Sequence, residues 1–268
     1  MIPVALTIAG SDSGGGAGIQ ADLKTFSALG VYGASVITAL TVQNTRGVSG
    51  IHDVPPDFVT AQIDAVYSDF EVAATKIGML SVPATIEAVA AGLARYKVEN
   101  VVLDPVMVAA SGDPLLKPEA VYTLKRVLIP RALVVTPNLG EAAALTGTPP
   151  ARDEGEMRRQ GEAILALGAR AVLVKGGHSE GEDAVDILVD REGVRRYVAR
   201  RIETRNTHGT GCTLSAAIAA GLAHGKPLGE AVAAAKDYVT KAIAAADALN
   251  VGHGHGPVHH FHAWWAKL

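Results

Sequence analysis

Short apolar runs alternating with helical periods through the first two thirds of the chain leave few folds open. Residues 3–9, 34–43, 73–79, 101–104, 132–135 and 171–174 read as buried strands. Between them, residues 17–29, 55–70, 83–96, 118–128 and 154–167 carry helical periodicity, three of these segments opening on or near proline. Strands that alternate with helices specify a doubly wound α/β fold. The expectation is therefore three layers: a mostly parallel central sheet with helices on both faces. Residues 185–189 and 194–199 flank Asp190-Arg191-Glu192-Gly193 and read as a hairpin. An alanine-rich helix opening near Gly209 or Thr210 and a longer one over 228–249 complete the body. No composition break or internal repeat divides the chain, so one domain over residues 1–268 is expected.

Composition narrows the function classes. Hydrophobic residues make up 49%, net charge is −3, and no basic block is present, which argues against nucleic acid as the partner. The single cysteine fits a reducing compartment, and no apolar span reaches transmembrane length. The opening apolar run over residues 2–9 lacks the basic start of a signal peptide. A soluble cytoplasmic protein without nucleic-acid or membrane partners is expected.

In a parallel sheet, ligands bind at the C-terminal ends of the strands. Polar residues recur at those ends: Gly10 to Asp12, Gln43, Lys76, Asp104, Asn138 with Glu141, and Lys175. Carboxylates there suit Mg²⁺, while lysines and free backbone N–H groups suit phosphates. Each also has a plainer reading. Asp104 could satisfy backbone groups, and Glu141 three residues after Asn138 fits a capping box. The loop over residues 10–18 is glycine-rich but matches neither common nucleotide fingerprint, since it lacks a lysine and has Ile19 where a third glycine belongs. Asn206-Thr207-His208-Gly209-Thr210-Gly211-Cys212-Thr213 runs straight into the alanine-rich helix. A glycine turn delivering N–H groups to a helix N-terminus is a general anion site. The alternative is a glycine turn capping a core helix, with Cys212 a small buried hydrophobe.

With these pieces assembled, the chain resembles the ribokinase-like superfamily and, within it, the hydroxymethylpyrimidine/phosphomethylpyrimidine kinase family. The resemblance rests on residues 9–25, on Lys76-Ile77-Gly78-Met79-Leu80 and on Asp104-Pro105-Val106-Met107 with Ser111-Gly112-Asp113. It continues through Thr136-Pro137-Asn138 and Lys175-Gly176-Gly177-His178, then residues 207–216 and the tail over 256–261. It implies a ribokinase-like fold, ATP and Mg²⁺ as cofactors, and a homodimer. The implied reaction phosphorylates 4-amino-5-hydroxymethyl-2-methylpyrimidine and then its monophosphate. By the same resemblance Gln43 and Met79 hold the pyrimidine, with Asp22, Val106 and Gly10 nearby. Asn138, Lys175 and Thr207 serve the nucleotide, and Asp104 and Glu141 the metal. Gly209, Thr210, Gly211 and Cys212 form the catalytic anion loop, with Cys212 standing where sugar kinases of the superfamily carry an aspartate base.

Four consecutive N–H groups from Gly209 to Cys212 are expected to cradle the transferring group. Cys212, with an ordinary thiol pKa of about 8.5 beside a helix N-terminus, is expected to be a mixture of thiol and thiolate near neutrality. Two rivals are a pyridoxal kinase and a nucleotide-binding sensor without catalysis. The histidines of the tail (His253, His255, His259, His260, His262) have no recognised metal-ligand spacing, and Trp264 and Trp265 are expected to pack the terminus onto the body or a partner subunit.

Overall fold

A computed structural model of the chain describes residues 1–108, 115–177 and 181–265. The quoted Ser111-Gly112-Asp113 and His178 lie outside these residues. Among the described residues nine strands form one sheet in the order β3-β2-β1-β4-β5-β6-β7-β8-β9. They are β1 Val4–Asp12, β2 Tyr32–Asn44, β3 Gly47–Asp53, β4 Val72–Ile77, β5 Val101–Leu103, β6 Val134–Val135, β7 Ala171–Lys175, β8 Asp183–Asp190 and β9 Gly193–Arg200. The run from β2 to β7 is parallel throughout. At the two ends, β3 and the β8–β9 hairpin are antiparallel.

Period-2 alternation divides the strand residues between two cores. Val101 and Leu103 of β5, with Val172 and Val174 of β7, face one core. It is closed by helices α2 (Pro56–Tyr67), α3 (Pro83–Arg95), α4 (Pro118–Thr123), α5 (Leu139–Thr146) and α6 (Glu154–Leu165). Val102, Ala171 and Leu173 face the other core, beneath α1 (Gly18–Ala28), α7 (Thr210–Ala223) and α8 (Leu228–Ala244). Helices thus cover both faces, as the alternation of elements requires. The strand residues of the second core include the small Ala5, Ala74 and Ala171, and α7 answers with Ala216, Ala217, Ala219 and Ala220. α7 is buried nearly all round because α8 packs on its outer side.

Some segments depart from the sequence reading. β3 was not expected: Gly47-Val48-Ser49-Gly50-Ile51-His52-Asp53 lacks apolar alternation, and its strand form comes from the ladder with β2. α5 follows the Asn138–Glu141 capping box, but no helical segment is assigned there from the sequence, because eight residues are too few to show a period. The helix read over 118–128 loosens into a π-helical turn at Leu124–Leu128 and tightens at Ile129–Arg131, where Pro130 ends it. The last long helix stops at Ala244, followed by a tight turn at Ala246–Leu249. Beyond it, Trp264 Nε1 donates to the Ala28 carbonyl at 3.0 Å and Trp265 stacks on Phe261, so the terminus packs onto the body. Among the described residues no helix is long and apolar enough to cross a membrane.

The α7–α8 contact is tight at one point. A Cβ on Gly221 would lie 2.9 Å from Ala231 Cβ and 3.1 Å from its Cα. Gly221→Val should therefore cost about 1–3 kcal/mol, the usual penalty of overpacking. Urea unfolding measures it, and adding Ala231→Gly should return part of the loss.

Candidate active site

Because β1, β2, β4, β5, β6 and β7 run parallel, their C-terminal ends bring the polar strand exits to one edge of the sheet. The glycine loop after β1 is organised by Asp12. Its Oδ1 accepts from the Gly14 N–H at 2.8 Å. Its Oδ2 accepts from the N–H groups of Gly16 and Ala17 at 3.0 and 2.8 Å, and from His208 Nε2 at 2.9 Å. Burial alone would raise the Asp12 pKa, but the His208 hydrogen bond and these N–H groups hold it below the ordinary carboxylate value. Sequence reasoning noted Asp12 only as a strand exit and missed His208. The one available signal was that His208 immediately precedes the anion-loop glycine.

Through His208 the glycine loop is locked to the anion loop. Gly209 sits at φ +82°, and a Cβ there would run into the Gly16 carbonyl oxygen, so glycine is required on both counts. The His208 N–H donates to the Gly256 carbonyl at 3.0 Å and its own carbonyl accepts from Val258 at 3.3 Å, which ties in the tail. His260, its imidazole pushed down to about 3 by burial, pairs with Thr213 Oγ1 at 3.1 Å on α7. Among the described residues no group of three or more His, Cys, Asp or Glu side chains is placed to hold a metal.

α7 starts at Thr210 with Gly209 as its cap. The expected row of four free N–H groups is reduced to three, because the Thr210 N–H donates to the Thr207 carbonyl at 3.2 Å. Its hydroxyl takes the same acceptor at 2.7 Å. Gly209, Gly211 and Cys212 keep N–H groups without a protein acceptor among the described residues. Gly211 faces the charged pair of the next strands: a Cβ on it would lie 3.2 Å from Lys175 Nζ and 3.7 Å from Asp104 Oδ2.

Lys175 Nζ donates to Asp104 Oδ1 at 2.9 Å, and the hydroxyls of Thr136 and Ser215 reach the same carboxylate at 3.2 and 3.3 Å. Burial pushes Asp104 up, but Lys175 and Lys76 outweigh it and hold Asp104 below its ordinary value. Asn138 and Glu141 form the capping box of α5: Asn138 Oδ1 accepts from the Glu141 N–H at 2.9 Å, and Glu141 Oε2 from the Asn138 N–H at 2.7 Å. Burial pushes the Glu141 carboxyl up to about 7, with Lys175 opposing and Asp104 adding to the rise. One lysine thus faces two carboxylates. That deficit of positive charge, on hard oxygen donors, fits Mg²⁺, which needs only one or two carboxylates when substrate phosphates and water complete its shell.

Two expectations change. Asp22 does not line the site surface. It is buried, with Lys76 Nζ donating to its two oxygens at 2.9 and 2.8 Å and Thr7 Oγ1 at 2.6 Å. Burial raises Asp22, and Lys76, itself fully buried, is held well above the ordinary lysine value by Asp22, Cys212 and Asp104 against its own desolvation. Cys212 is not a mixture of thiol and thiolate near neutrality. Burial pushes its thiol up to about 11, with Lys76 pulling down and Asp22 and Asp104 pushing up. Desolvation here outweighs the helix N-terminus, worth only about 0.3–1 kcal/mol.

The expected pyrimidine residues fall at three places. Gly10 sits at a bulge in β1 close against the Met79 methyl. Gln43 is half-buried, 3.0 Å from Thr41 Oγ1 and 3.4 Å from His208 Nε2. Val106 is half-buried just past Asp104, and the Thr207 carbonyl serves Thr210.

Glu141 generates a pH-dependent expectation. Between its ordinary 4.5 and about 7 the folded protein holds a proton that the unfolded chain releases. Its contribution to stability therefore falls as pH rises through that window. Glu141→Gln keeps a capping acceptor but cannot ionise, so without metal the variant should gain on the parent as pH rises from about 5 to 8 in urea unfolding. The same variant should need more Mg²⁺ for half-maximal rate.

A sequence model described as phosphomethylpyrimidine kinase matches residues 12–259. The hydroxymethylpyrimidine/phosphomethylpyrimidine kinase of Rhizobium meliloti is 65% identical over 265 residues, covering 99% of each chain. That of Escherichia coli is 59% identical over 261 residues, covering 97% of this chain and 98% of its own. Among solved structures, an ADP complex of Bacillus subtilis pyridoxal kinase superposes with a TM-score of 0.91 at 38% identity, over 99% of this chain and 100% of that one. A match reaching from Asp12 to His259, with relatives identical at more than half of their positions, places this chain in the phosphomethylpyrimidine kinase family.

Proposed function

We propose that the chain uses ATP to phosphorylate the hydroxymethyl group of 4-amino-5-hydroxymethyl-2-methylpyrimidine, then phosphorylates that monophosphate to the pyrophosphate used in thiamine biosynthesis. The observation that carries this reading is the row of uncommitted N–H groups at the start of α7, set against Lys175 and Asp104. Phosphoryl transfer proceeds through a loose transition state, so catalysis consists of positioning and charge neutralisation. Gly209, Gly211 and Cys212 direct N–H groups at the transferring phosphoryl group, and Lys175, with Asn138 and Thr207 nearby, holds the nucleotide phosphates. Asp104 and Glu141 would hold Mg²⁺, which when bound neutralises charge between the phosphates. Gln43 pairs with the ring edge, while Gly10, Met79 and Val106 line the ring's surroundings, and Asp22 acts from beneath through Lys76. The protein acts as one domain and as a cytoplasmic homodimer; sedimentation tests the latter. The likeness to a pyridoxal kinase favours pyridoxal as a second substrate, which side-by-side turnover assays measure.

Incubation with ATP, Mg²⁺ and the hydroxymethylpyrimidine should yield monophosphate first and diphosphate after it. Appearance of neither product overturns the reading. The two transfers also make different demands on Cys212. An alcohol must lose its proton, whereas a phosphate monoester, with a second pKa near 6, is already dianionic at neutral pH. With a folded value of about 11, roughly one thiol in ten thousand is ionised at pH 7. If Cys212 takes the alcohol proton, log kcat of the first transfer should climb about one unit per pH unit from pH 7 to 9. The second transfer should be level over the same range. Cys212→Ala should remove the slope and slow the first step far more than the second. Equal losses in both would make Cys212 a shaper of the anion loop.

A further inference from the structure

The groups around Gln43 favour one of the two orientations of its amide. Asp12 Oδ2 lies 2.9 Å from His208 Nε2, and an ionised carboxylate can only accept. His208 Nε2 therefore carries a hydrogen, whichever charge state the ring has. On the other side of Gln43, Thr41 Oγ1 lies 2.9 Å from the Ser11 carbonyl oxygen, which also can only accept. The single hydroxyl hydrogen of Thr41 is committed there, so towards Gln43, 3.0 Å away, the Thr41 oxygen can only accept. With Oε1 facing Thr41 and Nε2 facing His208 at 3.4 Å, an NH₂ would oppose an N–H, and one hydroxyl hydrogen would have to serve two acceptors. Turning the amide by half a revolution gives the Thr41 oxygen a donor and removes the opposed donors, its carbonyl sharing at 3.4 Å the His208 Nε2 hydrogen that Asp12 takes at 2.9 Å. The two ends of an amide have the same shape, so hydrogen-bond partners decide between them.

We infer that Asp12, His208 and Thr41 lock the Gln43 amide with its carbonyl towards His208 and its NH₂ towards Thr41, making His208 and Thr41 positioning residues for substrate discrimination. The inference rests on the reading of Gln43 as the pyrimidine contact. Once locked, the amide offers the ring one remaining hydrogen and one remaining lone pair in a fixed order. A 4-aminopyrimidine edge presents a donor beside an acceptor; the 4-oxo tautomer presents the reverse. An amide free to turn would serve both, because a flip exchanges donor and acceptor. A fixed one leaves buried polar groups opposed when the wrong edge enters, and such sites discriminate strongly. The Asp12 anchor is stiff, since its carboxylate also holds the N–H groups of Gly14, Gly16 and Ala17.

Two measurements test this. In nuclear magnetic resonance of the protein without substrate, the Gln43 side-chain NH₂ should show a nuclear Overhauser contact to the Thr41 methyl. A contact to the His208 ring hydrogens in its place overturns the lock. In kinetics, kcat/KM is compared between the 4-amino substrate and its 4-oxo analogue. Thr41→Val should narrow the preference for the amino form by about tenfold or more, with KM for ATP changed less than about threefold. His208→Ala should narrow the preference as well, and because it also frees the anion loop it should lower the rate on both substrates. Thr41→Ser, which keeps the hydroxyl, should retain the preference. Equal losses on both substrates in Thr41→Val would mean a structural role only and overturn the discrimination. Gln43→Ala separates the layers: an unchanged pyrimidine KM sinks the contact reading itself, whereas the Overhauser result still decides the lock.

Discussion

The Asp12 carboxylate is the interaction on which the rest of the site depends. It is buried with no lysine or arginine in salt-bridge contact among the described residues, Lys24 acting on it only from beyond the loop, and three backbone N–H groups and one imidazole N–H offset its desolvation. Those four donors come from two distant segments, the loop after β1 and the residue before Gly209. The main chain of His208 in turn holds the tail at Gly256 and Val258. One charge therefore joins three stretches of chain that would otherwise meet only as loops. The requirement for glycine at 209 follows from it, because the Asp12–His208 bond draws the two loops into backbone contact.

Beneath this layer lies a second set of charges with a different logic. Lys76 and Asp22 have no exposed side-chain surface, and each is tolerable only because the other is present. Lys175 partners Asp104 and also faces Glu141, so two lysines stand among three carboxylates. The excess of negative charge accounts for several properties together. It keeps both lysines protonated, it contributes to the raised value of Glu141, and it disfavours a thiolate at Cys212. It also leaves an edge whose charge is completed by a cation, while the N–H groups of α7 face the phosphates that such a cation accompanies.

Much of the architecture was legible because it rests on local periodicity. Six parallel strands and most helices appear where apolar runs and helical periods place them, and their polar ends fall on one edge because parallel pairing allows nothing else. β3 was not legible, since its strand form comes from a neighbour and its two apolar residues, Val48 and Ile51, do not alternate with period two. α5 was legible only as a capping box, and the same box accounts for both the local geometry of Asn138 and Glu141 and the burial that raises Glu141.

The sequence by itself determined the layer order, the glycine positions and the residue types gathered at the ligand edge, because spacing and hydrophobicity are written along the chain. Only the tertiary structure decided the state of each group. Burial gave Asp22 to Lys76 and took it from the surface, a turn withdrew the Thr210 N–H from the anion loop, and desolvation kept Cys212 a thiol. The pairing of Asp12 with His208 joins residues 196 positions apart, and no local pattern records it. Ionisation and hydrogen-bond direction depend on what surrounds a group in space, and a one-dimensional pattern does not carry that information.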